Sequence, residues 1–172
     1  MNAYENIIDR RSTKKFKADL VPDEIIEKIV KAGTFAPTGR GLQSPIIIAV
    51  TNPELRNKLS RMNADVLGTN ADPFYGAPVV LVVLADKSVN THIYDGSLVM
   101  GNLMLAANAL GVGSCWIHRA KEMFESDEGK EILKSLGIEG EFEGIGNCVL
   151  GYSDGYEPKD APRKENYAYY VK

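Results

Sequence analysis

Near the middle of the chain runs Pro78-Val79-Val80-Leu81-Val82-Val83-Leu84, an uncharged stretch that is mostly valine. A short, continuous, β-branched apolar run is the pattern of a strand buried on both faces. Pro45 to Val50, with Ile46, Ile47 and Ile48, repeats the pattern; Gly146 to Leu150 offers a third strand and Trp116-Ile117 a shorter fourth. Helical stretches lie between them at Glu54 to Met62, Asp95 to Leu110, and Asp127 to Leu136 behind a Ser126 cap. Upstream, a short helix covers Asn2 to Asp9, with Tyr4, Ile7 and Ile8 on one face. A second begins at Pro22, a residue favoured in a first helical turn, and buries Ile25, Ile26, Ile29 and Val30. Ala36-Pro37-Thr38-Gly39-Arg40-Gly41-Leu42-Gln43-Ser44-Pro45 is too rich in Gly and Pro to be regular. The pattern is mixed helix and strand around a central sheet.

The helical stretch from Asp95 to Leu110 is apolar around most of its circumference, with Leu98, Val99, Met100, Leu103, Met104 and Leu105 in close succession. A surface helix of a monomer does not tolerate this, so burial all round is expected, either in the chain's own core or against a partner's copy of the helix. Gly101, Ala106 and Ala107 permit close approach in both cases. The tail Asn166-Tyr167-Ala168-Tyr169-Tyr170-Val171-Lys172 is rich in strand-forming aromatics but follows a Pro- and charge-laden segment with no hairpin turn. It is expected to pair away from its own chain, on a partner's sheet.

At 172 residues the chain is expected to make one domain, large enough to fold without a disulfide or metal. With 20 Lys+Arg against 23 Asp+Glu and no block of like charge, a broad nucleic-acid-binding face is excluded. The two histidines, His92 and His118, are not spaced as a zinc pair, and Cys115 and Cys148 form no Cys-x-x-Cys. No Ser-His-Asp or Cys-His set is present, and Cys115 beside Trp116 reads as a packed residue. Asp127-Glu128 and Glu141 with Glu143 read as solvated faces. No stretch resembles a secretory leader or a membrane span, so a soluble cytoplasmic protein with reduced thiols is expected.

Against a net charge of −3, Arg10-Arg11-Ser12-Thr13-Lys14-Lys15-Phe16 gathers four cations around two hydroxyls, and Pro162-Arg163-Lys164 adds more near the end. Guanidinium groups grip phosphate in a planar two-bond geometry, lysine adds a point charge, and hydroxyls fill the remaining lone pairs. Taken alone, the first cluster is equally a solvated cationic end to the first helix, offsetting the negative pole of its dipole.

In order, Arg10-Arg11-Ser12-x-Lys14-x-Phe16, the Ala36-Pro37-Thr38 to Gln43 loop, Leu110-Gly111-Val112-Gly113-Ser114-Cys115-Trp116-Ile117, and Leu150-Gly151-Tyr152 before Pro162-Arg163-Lys164 resemble the nitroreductase family of FMN-dependent oxidoreductases. The set spans nearly the whole chain, and with it the phosphate reading displaces the plain one. The resemblance implies an α+β fold with a mixed, mainly antiparallel sheet flanked by helices, in a single domain over 1–172. It implies a homodimer in which 153–172 wraps the partner subunit, with FMN at the interface and NADH or NADPH as co-substrate.

By the same resemblance Arg10, Ser12, Arg163 and Lys164 would hold the FMN phosphate and Arg11 the ribityl chain or phosphate. Lys14 would lie by the N1 and O2 edge of the flavin, where reduction places negative charge, and so would tune its potential. Pro37, Thr38, Gly39 and Gln43 would arrive from the other subunit. Asn70 would sit beside the pyrimidine ring, backbone N–H groups of Gly113-Ser114 would serve the N5 side, and Cys115 and Trp116 would also contact the cofactor. Flavin N5 carries the chemistry, so no catalytic side chain is required. The expected reaction is ping-pong transfer of hydride from NAD(P)H to nitroaromatics, quinones or similar acceptors. Alternatives are a flavin sensor or storage protein, a dehalogenase or dehydrogenase on the same fold, and an anion-binding module without flavin. Ser44-Pro45-Ile46 and Arg40-Gly41 depart from the residues usual after the family's loop. The short chain implies an open pocket walled by Phe74, Tyr75 and Arg40.

Overall fold

In the computed structural model, which describes residues 2–156 and 158–172, one four-stranded sheet is built from β1 (Pro45–Val50), β2 (Val79–Asp86), β3 (Gly113–Ile117) and β4 (Phe142–Gly151). The spatial order is β1-β2-β4-β3 and every neighbouring pair is antiparallel. Parallel pairing is confined to an isolated bridge from Ser12 to Ser114, so the sheet is simpler than the mixed one expected.

Six helices cover the sheet: α1 (Ala3–Asp9), α2 (Asp23–Thr34), α3 (Pro53–Leu67), α4 (His92–Ala109), α5 (Ala120–Glu125) and α6 (Asp127–Ser135). β2 is buried along nearly its whole length because separate cores form on its two faces. Val80, Val82 and Leu84 pack with residues of α3, α5 and α6; Leu81 and Val83 pack with α2 and α4. Burial on both faces is usual for parallel sheets, and here an antiparallel sheet achieves it.

The helix ends follow local chemistry. Asn2 and Glu5 form a reciprocal capping box on α1, Asn52 accepts from Leu55 N at 2.9 Å, and Ser126 accepts from Gly129 N at 3.1 Å. α3 runs five residues past Met62 and stops at Gly68, whose φ of 73° suits glycine. The extra turn contains Asn63, fully buried and polar, which breaks the apolar period that marks the helix in the sequence. β4 starts earlier than Gly146 because a bulge between Leu84 and Val83 of β2 leaves Ile145 as an extra residue. Glu143 therefore lies in a strand within reach of His92 and Lys121, and is not the solvated face expected. The short α5 was not marked in the sequence.

Two segments stay uncovered in the single chain, in line with the expectation of a partner. α4 buries Gly96, Val99, Met100, Leu103 and Ala107 but leaves Tyr94 72% and Leu98 48% exposed, so its own core covers only one side. The tail forms no strand with this chain. After a short 3₁₀ turn at Glu165–Tyr167, Ala168 is extended and Tyr169 is 82% exposed.

Glycine sets the contact of α5 with the sheet. A Cβ on Gly144 would lie 2.2 Å from the Ala120 carbonyl oxygen, a backbone atom that a side-chain rotation cannot relieve. Gly144→Ala is expected to destabilise the fold by about 2 kcal/mol or more, read as a lower urea midpoint with unchanged m-value.

Candidate functional site

Past α1 the chain turns at Arg10 and runs along the free edge of β3. Thr13 N donates to Ser114 O at 2.9 Å, Lys17 N to Tyr152 O at 2.9 Å, and Phe16 bridges Ser153. Phe16 is buried and packs where a Cβ on Gly151 would lie 2.9 Å from its ring, so a glycine is needed beneath it. This zipper fixes Arg10, Arg11, Ser12 and Lys14 on the β3 edge.

Arg10, Arg11 and Arg163 line one cavity of about 470 Å³ with Ile7, Ile8 and Asp160. Arg11 forms an ion pair with Asp160 and donates to the carbonyls of Ile8 and Arg10, closing the end of α1. Arg10 differs: its Nη1 is buried and has no hydrogen-bond partner among the described residues. A buried donor left unmade costs about 1–3 kcal/mol, more when charged, a cost that an anion's oxygen would remove if a small shift of the side chain let it reach Nη1. Lys164 Nζ lies 5.4 Å over the Tyr167 ring, in cation–π contact.

Lys14 lines a second cavity, about 360 Å³, with Tyr75, Asp72, Pro73 and the Cys115-Trp116-Ile117-His118-Arg119 segment. Cys115 lines the Lys14 cavity and lies within electrostatic range of Arg10. Burial pushes its thiol pKa up, while a hydrogen bond with Ser12 and the charges of Lys14 and Arg10 pull it down. Arg10, Ser12 and Lys14 thus converge on Cys115, and Ser114 lies beside them on β3. Cys148, wholly buried on the other face, is pushed up to about 12 by burial and is inert. Asn70 is exposed and lines a cavity with Arg56 and Arg61 that shares Thr69, Ala71 and Asp72 with the Lys14 cavity. Phe74 is fully buried and forms no wall, whereas Tyr75 does.

The Thr38 to Gln43 loop stands elsewhere. Thr38 and Gln43 line an apolar cavity of about 360 Å³ beside β1, with Val30, Ile46 and Ile47; Pro37 next to them is exposed. From Ser114 this corner is three strand spacings across the sheet and several residues along it, roughly 14 Å and 23 Å respectively. Within one chain the two residue sets therefore surround different cavities.

Asp95 organises that loop, and nothing in its sequence context marked it. Only 3% exposed, it accepts from Gly39 N at 2.9 Å, Ser44 Oγ at 2.9 Å and Thr91 Oγ1 at 3.0 Å. Burial raises its pKa, but these three bonds and nearby His92 outweigh that and hold it below the usual carboxylate value. Gly39 lies so close to Thr91 that a Cβ would meet Oγ1 at 2.4 Å. Arg40 and Gln43 take positive φ, 55° and 49°, in the turn so fixed.

A sequence profile described as the nitroreductase family matches residues 7–72 and 66–153. The chain belongs to the nitroreductase family. An Archaeoglobus fulgidus protein provisionally named NADH dehydrogenase/NAD(P)H nitroreductase is 30% identical over 164 residues, 90% of this chain and 89% of that protein. The NADPH-flavin oxidoreductase of Vibrio harveyi is 28% identical over 173 residues, 94% of this chain and 70% of that one. The crystal structure of a nitroreductase with bound FMN from Desulfitobacterium hafniense superposes with a TM-score of 0.86 at 26% identity, covering 99% of this chain and 100% of that one. The chain spans 60% of the length of a further relative at 30% identity. These likenesses bear out the nitroreductase-like α+β fold. No helix among the described residues is long and apolar enough to cross a membrane.

Because the pKa of Asp95 is depressed on folding, its contribution is present above the unfolded carboxylate value and is lost as pH falls through the folded one. Asp95→Ala is expected to cost about 2–4 kcal/mol at pH 7, with the gap from the parent narrowing below about pH 4. Urea denaturation at both pH values checks this.

Proposed function

We propose that this nitroreductase-family chain is an FMN-dependent NAD(P)H oxidoreductase working as a homodimer, reducing nitroaromatics, quinones or similar electron-poor acceptors by a ping-pong mechanism. The observation that carries the reading is the cavity lined by Arg10, Arg11 and Arg163, with Arg10 Nη1 buried and unpartnered among the described residues. A site built to leave a guanidinium nitrogen dry and unpaired fits an anion with several oxygens, and FMN offers one in its phosphate. Ser12 adds a hydroxyl from the same segment, and the pairing of Arg11 with Asp160 keeps that arginine oriented at the rim.

Bound FMN would supply hydride transfer, receiving from NAD(P)H and delivering to an oxidised acceptor that takes the nicotinamide's place. The chain's residues orient and polarise. Lys14, in the cavity across Cys115 from the arginines, would face the N1 and O2 edge and favour the reduced form electrostatically. Cys115 and Trp116 line the β3 side of the same cavity, and Ser114 precedes them on the strand.

A two-chain site supports the remaining assignments. Thr38, Gly39 and Gln43 stand at the far corner of the sheet, where a second copy could deliver them to the Lys14 cavity. The uncovered side of α4 (Tyr94, Leu98) and the exposed apolar tail (Tyr167, Tyr169, Tyr170, Val171) are surfaces a partner would bury. β1 has a free edge and an apolar cavity alongside, both suited to receiving an extended segment from 153–172.

The purified protein is expected to show flavin absorption bands with added FMN and to bleach anaerobically with NADH or NADPH. Arg10→Ala combined with Arg163→Ala should weaken FMN binding by about 3 kcal/mol or more; unaltered affinity in a fluorescence titration removes the phosphate assignment. Deleting Asn166 to Lys172 should yield monomers or insoluble protein, and an unchanged dimer by light scattering contradicts the exchanged tail.

A further inference from the structure

Two non-glycine residues with left-handed backbone, Tyr75 at φ 55° and Arg119 at φ 75°, lie on separate loops yet line the same cavity as Lys14. Such strain clusters where a fold over-determines a functional geometry. One helix face holds both. On α3, Arg56, Ser60 and Asn63 fall at i, i+4 and i+7, and all three are buried. Arg56 and Ser60 bind the two oxygens of Asp72 at 2.7 and 2.5 Å, and Asp72 accepts from Phe74 N at 2.9 Å and Gly76 N at 2.8 Å, the amides flanking Tyr75. Asn63 Nδ2 donates to His118 O at 2.8 Å, and Asn63 Oδ1 accepts from Arg119 Nε at 3.0 Å. Burying a whole asparagine to hold a half-exposed arginine by both backbone and side chain is a preorganising device.

The bond to Nε leaves the two Nη groups of Arg119 directed away from Asn63. Among the described residues neither Arg119 nor Lys14 takes part in an ion pair. The carboxylate lining the cavity, Asp72, is already occupied. Burial raises its pKa, but Arg56, Ser60 and the two amides lower it further, so it is ionised with its lone pairs taken. The cavity therefore has a surplus of two positive charges beside the Tyr75 ring. If Lys14 serves the flavin edge, Arg119 remains for another anion.

We propose that Arg119 is a specificity-determining residue that selects planar aromatic acceptors bearing a carboxylate, with Tyr75 as the ring's wall. This rests on the flavin reading for its chemistry. A nitroarene so bound takes the hydride originating from NAD(P)H and one proton from solvent, breaks one N–O bond, and leaves as the nitroso arene and water. The planar fork of Arg119 pairs the carboxylate end-on, a geometry lysine cannot reproduce.

The test is calorimetric titration of the FMN-loaded protein with benzoate and with its neutral isostere benzamide, alongside steady-state rates with 4-nitrobenzoate and 4-nitrobenzamide. Benzoate should bind more tightly. Arg119→Gln should cut the benzoate-over-benzamide preference by about ten-fold or more and raise KM selectively for 4-nitrobenzoate, while Arg119→Lys keeps part of the preference. Equal affinity for the two ligands in the parent protein, or an equal loss of both in Arg119→Gln, overturns the proposal and leaves Arg119 a structural cap of the corner. A rise in KM for NADPH in place of the acceptor overturns it too, assigning the guanidinium to the coenzyme's phosphate. Should the protein take up no FMN, the proposed function fails by itself. The same titrations on the unloaded protein then still decide whether the cavity prefers the carboxylate.

Discussion

A charged nitrogen buried without a partner is the constraint around which the N-terminal segment is arranged. Arg10 ends α1 in a non-helical turn (φ −53°, ψ 128°), and from there the chain can neither continue as helix nor drift into solvent. It is stitched to β3 and β4 by backbone bonds at Thr13 and Lys17 and by the Phe16 ring set over Gly151. Each of these contacts keeps cations close together at a sheet edge, against their mutual repulsion. Apolar burial on both faces of β2 supplies folding free energy against the cost of gathering these charges. An anion in the Arg10 cavity would convert a tolerated cost into a favourable interaction.

The buried polar residues away from that edge set the geometry of the loops as well as contributing to stability. Asp95 fixes the Thr38 to Gln43 turn from the start of α4, while Arg56, Ser60 and Asn63 fix two loops from a single face of α3. Asn147, fully buried on β4, adds a longer contact to the His118 carbonyl at 3.5 Å. Among the described residues all four non-glycine residues with positive φ, Arg40, Gln43, Tyr75 and Arg119, belong to segments held this way. Rigid secondary structure thereby presents strained loops at two corners of one sheet, and a second copy is what would bring those corners together.

Much of this was legible in the sequence, for physical reasons that also explain the gaps. β1 matched its apolar run residue for residue, since a strand with proline at one end and Thr-Asn-Pro after the other has sharp edges. The cationic cluster could be seen because charge was concentrated against a net negative chain. Asp95, Asn63 and Asp72 were not legible, because a buried polar side chain looks the same in sequence as a solvated one and only tertiary contacts reveal its partners. The first turns of β4 were hidden by Gly144 and by the bulge at Ile145, which shift the alternation that identifies a strand. The exposed side of α4 shows the opposite effect: hydrophobicity predicted burial, and one chain supplies only half of it.

The role proposed for the Arg10 and Arg163 cavity is to hold the phosphate of a flavin nucleotide. The most direct measurement compares the dissociation constants of FMN and riboflavin, which differ only by that group, by flavin fluorescence at fixed ionic strength. The account predicts that riboflavin binds about a hundred-fold more weakly or worse, as the loss of at least two charge-assisted contacts requires. Equal affinities for the two flavins would contradict it.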